Sequence, residues 1–321
     1  MKRPGRGQFV CTVAANIPLC REHYRLVLGL RQFPESRPGQ FIQISCRELH
    51  EDFAREQEWD LSDCRHAPEH GAELLGPLAL LRRPFSLAGR RDTGGGVELD
   101  IIHRVVGVGT DWMAHLKEGD EVFILGPLGN QFQMAPEGGQ AILVGGGVGI
   151  PPMIYLAEAL AGRKAVAFCG VLSRDLLPLK INDDAGSSGD EVEPRPTIEE
   201  FARHGIPSVV TTDDGSFGFR GFVTQALERY LDIPSGTAGP TIYTCGPEPM
   251  MKRVGEIAAA RNIDCQIAVE RAMACGMGTC QSCCIRVRKP DPSKPPLVGM
   301  DWCYRLACTD GPVFRGADLL W

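Results

Sequence analysis

The sequence lacks a long hydrophobic run. None of its apolar stretches approaches the roughly 18 consecutive apolar residues of a transmembrane helix, so we expect no membrane association. The basic start, with Lys2, Arg3 and Arg6, leads into only a short and weakly apolar stretch before Asn16. A secretory signal peptide is therefore not expected, and the sequence favours a cytoplasmic protein.

An excess of positive charge is also absent. The chain has 34 lysine and arginine residues against 40 aspartate and glutamate residues, which gives a formal net charge of -6, and it shows no local basic stripe. Proteins that bind nucleic acid use such a stripe to neutralise phosphates. Nucleic acid is therefore not expected as a partner.

The cysteines lack the even spread of a disulfide framework. There are 13 of them, an odd number, and six fall between Cys275 and Cys308. In a chain without a secretion signal, clustered thiols more often bind a metal or perform redox chemistry than form disulfides. The cysteine pattern therefore indicates a metal or redox centre near the end of the chain.

The first part of the chain predicts a β domain. A chain of 321 residues with 43% hydrophobic residues suggests two or three domains. Residues 1–135 alternate short β-rich runs with turn signals, which predicts an antiparallel barrel or sandwich. A charged segment at 47–78 breaks this rhythm and is interpreted as an inserted loop. Its Cys64, His66 and His70 have metal-compatible spacing, but a solvated loop is favoured because four ligands are not evident.

Residues 136–262 alternate strands with helices, which predicts a doubly wound α/β domain with a parallel sheet. One of its helices is predicted to open at a capping box made by Thr197 and Glu200. The acidic, proline-containing stretch at 182–196 is interpreted as a mobile loop.

The last segment, 263–321, holds the cysteine cluster and two short strand candidates, QIAVE and CIRVR. So short a segment makes little hydrophobic core alone. A bound metal cluster would hold it together.

The spacing of the cysteines is the sharpest chemical signal. Cys275, Cys280 and Cys283 follow the pattern C-x4-C-x2-C, and Cys308 lies further along the chain. Plant-type [2Fe-2S] proteins use this spacing with a distant fourth cysteine, whereas zinc sites prefer two paired C-x2-C hooks. Iron and sulfide are therefore favoured. Cys284 should face away, because neighbouring residues on a strand point to opposite sides.

A second signal is a glycine-rich turn between a predicted strand and a predicted helix. Such turns let the pyrophosphate of a dinucleotide approach the backbone at the helix N-terminus. Pro152 replaces the third glycine of the usual GxGxxG fingerprint, so the surrounding βαβ order is the stronger argument. The glycines concerned are Gly145, Gly146, Gly147 and Gly149.

The sequence CGP follows the fourth parallel strand of the same domain. Ligands of doubly wound sheets bind at the carboxyl ends of the strands, so Cys245, Gly246 and Pro247 are predicted to line a nicotinamide site. A plain tight turn is the alternative.

A third signal lies in the β domain. Arg83 and Ser86 are able to hold a phosphate through a charged fork and a hydroxyl, although taken alone this pair is weak evidence. Downstream, Gly107, Gly109 and Thr110 are placed to open a helix towards a second phosphate.

These motifs stand in one order along the chain: RPFS, HRVVGVGT, GPLGNQF, LVGGGVGIPP, DDGSFGFRGFV, YTCGPEPMM, ERAMACGMGTCQSC and ACTDGPVF. In this order the chain resembles the electron-transfer subunits of type B dihydroorotate dehydrogenases, which belong to the ferredoxin-reductase-like flavoproteins. The resemblance covers nearly the whole chain apart from insertions near 47–78, 182–196 and 288–300.

The resemblance implies three domains: an N-terminal antiparallel FAD-binding β barrel (1–135), an NAD-binding α/β domain (136–262) and a small [2Fe-2S] domain (263–321). The cluster ligands would be Cys275, Cys280, Cys283 and Cys308. NAD would bind across the glycine turn and the CGP turn. The residues implied to hold FAD are Arg83, Pro84, Phe85, Ser86, Ile102, His103, Arg104, Gly109 and Thr110. The position of His103 is commonly tyrosine in the family.

The resemblance also implies a reaction and a partner. Electrons from dihydroorotate would pass from a separate FMN-containing catalytic subunit through the [2Fe-2S] cluster and FAD to NAD, as a step in pyrimidine biosynthesis, and the two kinds of subunit would form a heterotetramer. This chain would be an oxidoreductase subunit without a pocket for the pyrimidine.

Two other functions fit the same residues. One is a flavin and iron-sulfur subunit of another complex, such as a ferredoxin:NAD(P) oxidoreductase or the diaphorase arm of a hydrogenase or sulfide dehydrogenase. The other is a non-catalytic, zinc-stapled interaction protein. Arg174 follows the second strand of the α/β domain, where a 2′-phosphate would lie, so NADP remains an alternative to NAD. Asp213 and Asp214 either touch a ribose hydroxyl or begin a turn.

Overall fold

The computed structural model describes residues 5–47, 81–182, 192–233, 239–288 and 301–321. The predicted inserted loop with Cys64, His66 and His70 lies outside the described residues, as does most of the stretch at 182–196. Among the described residues no helix is long and apolar enough to cross a membrane.

The first sheet is antiparallel and has seven strands. In chain order they are β1 (Gly7–Cys20), β2 (His23–Leu30), β3 (Phe41–Ile44), β4 (Arg83–Ser86), β5 (Gly89–Thr93), β6 (Gly96–Arg104) and β7 (Glu121–Leu128). The spatial order is β4-β3-β7-β1-β2-β6-β5, so β4 and β5 are the edge strands and the sheet is a half-barrel. Helix α1 (Val108–Ala114) follows β6. Alternating apolar residues such as Leu26, Leu99 and Ile101 fill the core of the half-barrel, as the β-rich runs predict.

The second sheet is mainly parallel. Its strands are β8 (Ala141–Gly146), β9 (Ala165–Val171), β10 (Ser208–Thr212), β11 (Phe219–Arg220), β12 (Thr241–Cys245), β13 (Asp264–Ala268) and, antiparallel at one edge, β16 (Val313–Arg315). The order is β11-β10-β9-β8-β12-β13-β16. The chain therefore reverses direction across the sheet between β8 and β12, and this switch point is where doubly wound folds bind ligands.

In the part of the chain that the structure describes, four helices accompany this sheet: α2 (Ile150–Ala159), α3 (Glu199–Ala202), α4 (Val223–Asp232) and α5 (Glu248–Ala260). Separate apolar clusters form around its strands and helices. One contains Ile154 and Phe201, and the other contains Val254 and Leu227. The parallel α/β architecture is thus as predicted from the strand and helix pattern.

The capping box predicted at Thr197 and Glu200 is wrong. The short helix α3 has Ile198 at its N-cap position and no side-chain cap. The carboxylate of Glu200 instead accepts the backbone N–H of Lys180 at 3.2 Å. The Glu200 carboxylate therefore makes a tertiary hydrogen bond to Lys180 and not the local cap that its spacing from Thr197 predicts.

The C-terminal segment is divided between two sheets. Strands β14 (Cys284–Arg288), β15 (Trp302–Leu306) and β17 (Leu319–Leu320) form a small antiparallel sheet. The strand predicted from QIAVE does form, as β13, but it extends the parallel sheet. Buried residues of the cysteine segment, among them Cys283, Ile285 and Cys308, join one of the apolar clusters of the parallel sheet. The domain limits stay a prediction.

Asn130 fastens the C-terminal segment to the β domain. Its side-chain amide donates to the carbonyl oxygens of Asp310 (2.9 Å) and Val313 (2.8 Å), and its Oδ1 accepts the Val313 N–H at 2.9 Å. Gln133 and Gln266 make a second pair of hydrogen bonds, which links the β domain to the parallel sheet. The three parts of the chain are therefore held together by specific polar contacts.

Candidate functional site

A large cavity of ≈ 1410 Å³ opens where the parts of the chain meet. Its walls come from β4, β6 and the start of α1 in the half-barrel, and from the carboxyl ends of β8, β12 and β13 in the parallel sheet. This is the edge at which the doubly wound rule places a ligand. The cavity exceeds the size of ordinary small-molecule pockets, which suits a site shared by two dinucleotides.

The half-barrel wall contains all nine residues that the resemblance assigns to FAD. Arg104 pairs with Glu22, with Nε and Oε2 2.9 Å apart. The Thr110 hydroxyl accepts the N–H of Val106 at 2.9 Å and donates to the carbonyl of Gly107 at 3.0 Å, so it also fixes the start of α1.

His103 is the most unusual member of this wall. It is 1% exposed, and neither ring nitrogen has a hydrogen-bond partner among the described residues. Its ring stacks on Tyr24 with centroids 5.8 Å apart, and Phe85 meets it edge-on at 6.1 Å. Burial lowers the pKa of His103 to about 4, so the ring is neutral near pH 7. A neutral ring with unpaired nitrogens fits a wall built to meet a polar ligand.

The opposite wall contains the glycine turn. Gly146, Gly147 and Gly149 line the cavity, whereas Gly145 does not. A Cβ on Gly149 would lie 2.2 Å from the carbonyl oxygen of Cys245, so the glycine turn and the CGP turn touch each other. Gly145 also pairs with Cys245 in the register of β8 and β12.

The CGP turn contributes two of its three residues to the wall, Cys245 and Pro247. Gly246 does not line the cavity, and its φ of 151° is a conformation that favours glycine. Burial raises the pKa of the Cys245 thiol to about 12, so this wall carries no thiolate at neutral pH.

Arg174 lies beside a separate depression of ≈ 440 Å³, lined by Ser173, Arg174, Asp175, Asp214 and Ser216. Its guanidinium stands 5.4 Å from the centroid of the Phe217 ring. The Asp214 carboxylate accepts the Ser216 N–H at 2.9 Å, as a turn residue does, whereas Asp213 lines the large cavity. The carboxylates of Asp175 and Asp214, which line the same depression as Arg174, would repel a 2′-phosphate there.

The structure brings the four predicted cluster cysteines together as two pairs. The N–H of Cys280 points at the Sγ of Cys275 at 3.4 Å, and burial together with the nearby thiol of Cys283 raises the pKa of the Cys308 thiol. Within the described residues no three His, Cys, Asp or Glu side chains surround one point as ligands of a single ion. Two pairs of thiols suit a [2Fe-2S] cluster, which has two irons and four cysteine ligands.

The loop around these thiols has a backbone conformation that points N–H groups at a cysteine sulfur. Gly276 and Gly278 have φ values of 69° and 89°, and the Met277 N–H also points at the Sγ of Cys275 at 3.4 Å. Cys283 and Cys308 are buried, whereas Cys280 is exposed. Hydrogen bonds from Ser282 lower the pKa of the Cys280 thiol to about 6, which favours the thiolate that binds metal.

Comparison with known proteins agrees with this geometry. The family model for the iron-sulfur cluster binding domain of dihydroorotate dehydrogenase B matches residues 270–320, a range that includes all four cysteines. The dihydroorotate dehydrogenase B (NAD(+)) electron transfer subunit of Caldanaerobacter subterraneus is 34% identical over 98% of this chain and 99% of its own length. That of Geobacillus thermodenitrificans is 34% identical over 96% of this chain and 97% of its own length.

The chain belongs to this family of electron transfer subunits. Its fold is likewise that of the ferredoxin-reductase-like flavoproteins. The structure of an NADH-dependent reduced ferredoxin-NADP oxidoreductase matches 98% of this chain and 91% of that chain, with a TM-score of 0.68 and 25% identity. An Amycolatopsis cytochrome P450 reductase matches 81% of this chain and 68% of that chain, with a TM-score of 0.56 and 26% identity.

The cofactors of this dihydroorotate dehydrogenase B family, FAD and a [2Fe-2S] cluster, fit the residues present. The unpaired nitrogens of His103 and the large cavity suit a flavin nucleotide, and the paired thiols suit the cluster. The zinc-stapled alternative is wrong, because the matching family model is an iron-sulfur domain.

Sequence reasoning missed several segments of the cavity wall. They are residues 170–172 at the end of β9, the start of α4, the start of α5 around Met250, and the segment from Ala268 to Met273. The last segment follows β13 directly, so the rule that ligands bind at the carboxyl ends of parallel strands would have found it. It was missed because QIAVE was assigned to the cysteine segment and not to the parallel sheet.

Proposed function

We propose that the chain passes electrons from an FMN-containing dihydroorotate dehydrogenase catalytic subunit, through a [2Fe-2S] cluster and FAD, to NAD in the cytoplasm. In its family the corresponding subunits are named for electron transfer in the NAD-linked enzyme. The two kinds of subunit would form a heterotetramer.

The observation that carries this proposal is the continuity between the cavity and the cysteine loop. Met273 lines the cavity, and Cys275 comes two residues later, where the chain bends into the cysteine loop. Arg271, in the same segment, pairs with Glu248 at the start of α5. A flavin in the cavity and a cluster in the loop would therefore be neighbours.

The wall of the half-barrel is proposed to bind FAD. Arg83 supplies a cation for the diphosphate and Ser86 supplies a hydroxyl. Phe85 and His103, whose ring stacks on Tyr24, give this wall its aromatic surface. Pro84, Ile102, Arg104, Gly109 and Thr110 complete this proposed site.

The opposite wall is proposed to bind NAD. A Cβ on Gly149 would clash with the CGP turn, and Gly146 and Gly147 line the cavity without side chains, which lets a pyrophosphate approach the backbone. The proposed site comprises Gly145, Gly146, Gly147, Gly149, Cys245, Gly246 and Pro247, of which Gly145 and Gly246 act through the shape of the turns. When bound, FAD exchanges single electrons with the cluster and a hydride with NAD.

Cys275, Cys280, Cys283 and Cys308 are the proposed cluster ligands. Cys280 is exposed, and the neighbouring Met277 is 47% exposed. This outer side of the loop is where electrons from the catalytic subunit are expected to enter.

A second candidate is a reductase of another complex that uses the same cofactors. It is favoured by the match to the NADH-dependent ferredoxin-NADP oxidoreductase structure over 98% of this chain. The partner protein, and not the chain itself, distinguishes the two candidates.

The proposal predicts that the purified chain oxidises NADH with a dye as acceptor but does not oxidise dihydroorotate with the same dye. The cavity wall supplies nucleotide sites, whereas the substrate chemistry belongs to the partner. NADH should be preferred to NADPH because Asp175 and Asp214 flank Arg174. Steady-state turnover with each reductant is the measurement. Oxidation of dihydroorotate by this chain alone would contradict the proposal, and strong preference for NADPH would favour the second candidate.

A further inference from the structure

Gln43 is a fully buried polar residue in an otherwise apolar strand. It lies in β3 between Ile42 and Ile44, and all three side chains are 0% exposed. Burying an amide costs free energy unless the amide finds hydrogen-bond partners, and an apolar residue of similar size would fill this position without that cost. The amide therefore requires a structural explanation.

Both polar atoms of Gln43 face the cysteine loop. Its Nε2 donates to the carbonyl oxygen of Ala274 at 3.5 Å. A Cβ placed on Gly276 would lie 2.5 Å from its Oε1, which has no partner among the described residues. The amide thus touches the residues on both sides of Cys275.

The backbone of Gln43 belongs to the flavin side of the molecule. Gln43 pairs with Pro84 in the register of β3 and β4, and Pro84 lines the large cavity. One side chain therefore connects the strand beside the proposed FAD site with the loop that carries the proposed cluster ligand Cys275.

We propose that Gln43 is a positioning residue that holds the cysteine loop against the flavin-side strand and so sets the rate of electron transfer between FAD and the cluster. This inference rests on the proposed function. The N–H groups of Met277 and Cys280 point at the Sγ of Cys275, so a shift of the loop would disturb them. Hydrogen bonds to ligand sulfurs tune both the orientation and the reduction potential of a cluster.

The test uses Gln43→Met, which keeps the volume but removes the amide, and Gln8→Met as a control on the exposed surface of β1. The full chain is reduced anaerobically with NADH, and the bleaching of flavin and of cluster is followed by stopped flow. We expect unchanged flavin reduction and about tenfold slower cluster reduction, because loss of one buried hydrogen bond would lower the population of the held loop position by about that factor. The electron paramagnetic resonance spectrum of the reduced cluster should shift. Gln8→Met should behave as the native chain.

A Gln43→Glu variant provides the conservative rescue. Burial keeps a carboxyl group protonated, and a protonated carboxyl offers one donor and one acceptor in nearly the geometry of the amide. At pH 6 this variant should therefore transfer electrons faster than Gln43→Met, even if Gln43→Met assembles its cluster poorly.

Three outcomes would overturn the inference: native cluster reduction with an unchanged spectrum in Gln43→Met, a lower melting temperature as the only change, or no rescue by Gln43→Glu. Failure of the proposed function would look different, because the native chain itself would then lack the flavin or the cluster signal.

Discussion

At the scale of single residues, the four cysteines proposed as cluster ligands differ in exposure and in pKa. Cys280 is exposed and its pKa is lowered to about 6, whereas burial raises the pKa of Cys308 to about 12. The neighbouring Cys284 is exposed and begins strand β14, on the other side of the chain from the buried Cys283. A proposed ligand and a cysteine outside the proposed ligand set are thus adjacent, which allows a matched comparison.

Replacing Cys280 or Cys308 with serine should abolish the reduced-state [2Fe-2S] signal, because each removes one of four thiolates. Cys284→Ser is the control and should retain the signal at its native intensity. Electron paramagnetic resonance of the three dithionite-reduced variants is the measurement. A lost signal in Cys284→Ser, with native signals in the other two, would contradict the ligand assignment.

Short-range spacing in the sequence is enough to propose several of the site residues. The C-x4-C-x2-C pattern places three thiols on one loop, and the alternation of strand side chains explains why Cys284 faces outward. Gln43 could not be found this way. Its contact with Ala274 joins residues 231 positions apart, so only the tertiary structure reveals it.

At the scale of elements, the glycine turn and the CGP turn form one unit. Gly149 has φ -84°, an ordinary helical value, so its backbone conformation does not demand glycine. The demand comes from packing, because a Cβ would lie 2.2 Å from the carbonyl oxygen and 2.3 Å from the carbonyl carbon of Cys245.

Gly149→Ala should therefore separate the two turns and weaken NADH oxidation by on the order of tenfold, while FAD and cluster content stay native. Gly255→Ala in α5 is the matched control, because its Cβ would meet only the Ile267 Cδ1 at an ordinary 3.4 Å. The measurement is NADH–dye turnover together with the flavin-to-iron ratio. Native turnover in Gly149→Ala would show that the two turns do not need this contact.

Elements with strong periodicity were predictable, and those governed by tertiary contacts were not. The strand AILVGG and the helix that follows it formed as predicted, because apolar pattern, proline and glycine agree there. Helix α3 is only four residues long, and the use of Glu200 by Lys180 removed its predicted cap. Strand β13 also formed. It pairs with β12 of the parallel sheet, and the sequence of β13 alone does not reveal this partner.

At the scale of the whole molecule, the half-barrel, the parallel sheet and the cysteine loop adjoin one another around the large cavity. The cavity joins the half-barrel and the parallel sheet, and the cysteine loop begins where the cavity wall ends. Asn130 and Gln133 hold the parts in register through hydrogen bonds to the C-terminal segment and to Gln266. The order of the motifs predicts three domains, and their limits stay a prediction. The shared cavity wall could not be predicted, because β13 and the segment after it were assigned to the cysteine segment.

The most direct test of the account is dihydroorotate-dependent reduction of NAD after anaerobic co-expression with an FMN-containing dihydroorotate-oxidising subunit. We expect turnover only when both subunits are present, and we expect Cys308→Ser in the complex to abolish it while NADH–dye activity persists. NAD reduction that continues at the native rate in the Cys308→Ser complex, or that the catalytic subunit achieves without this chain, would contradict the electron-transfer assignment.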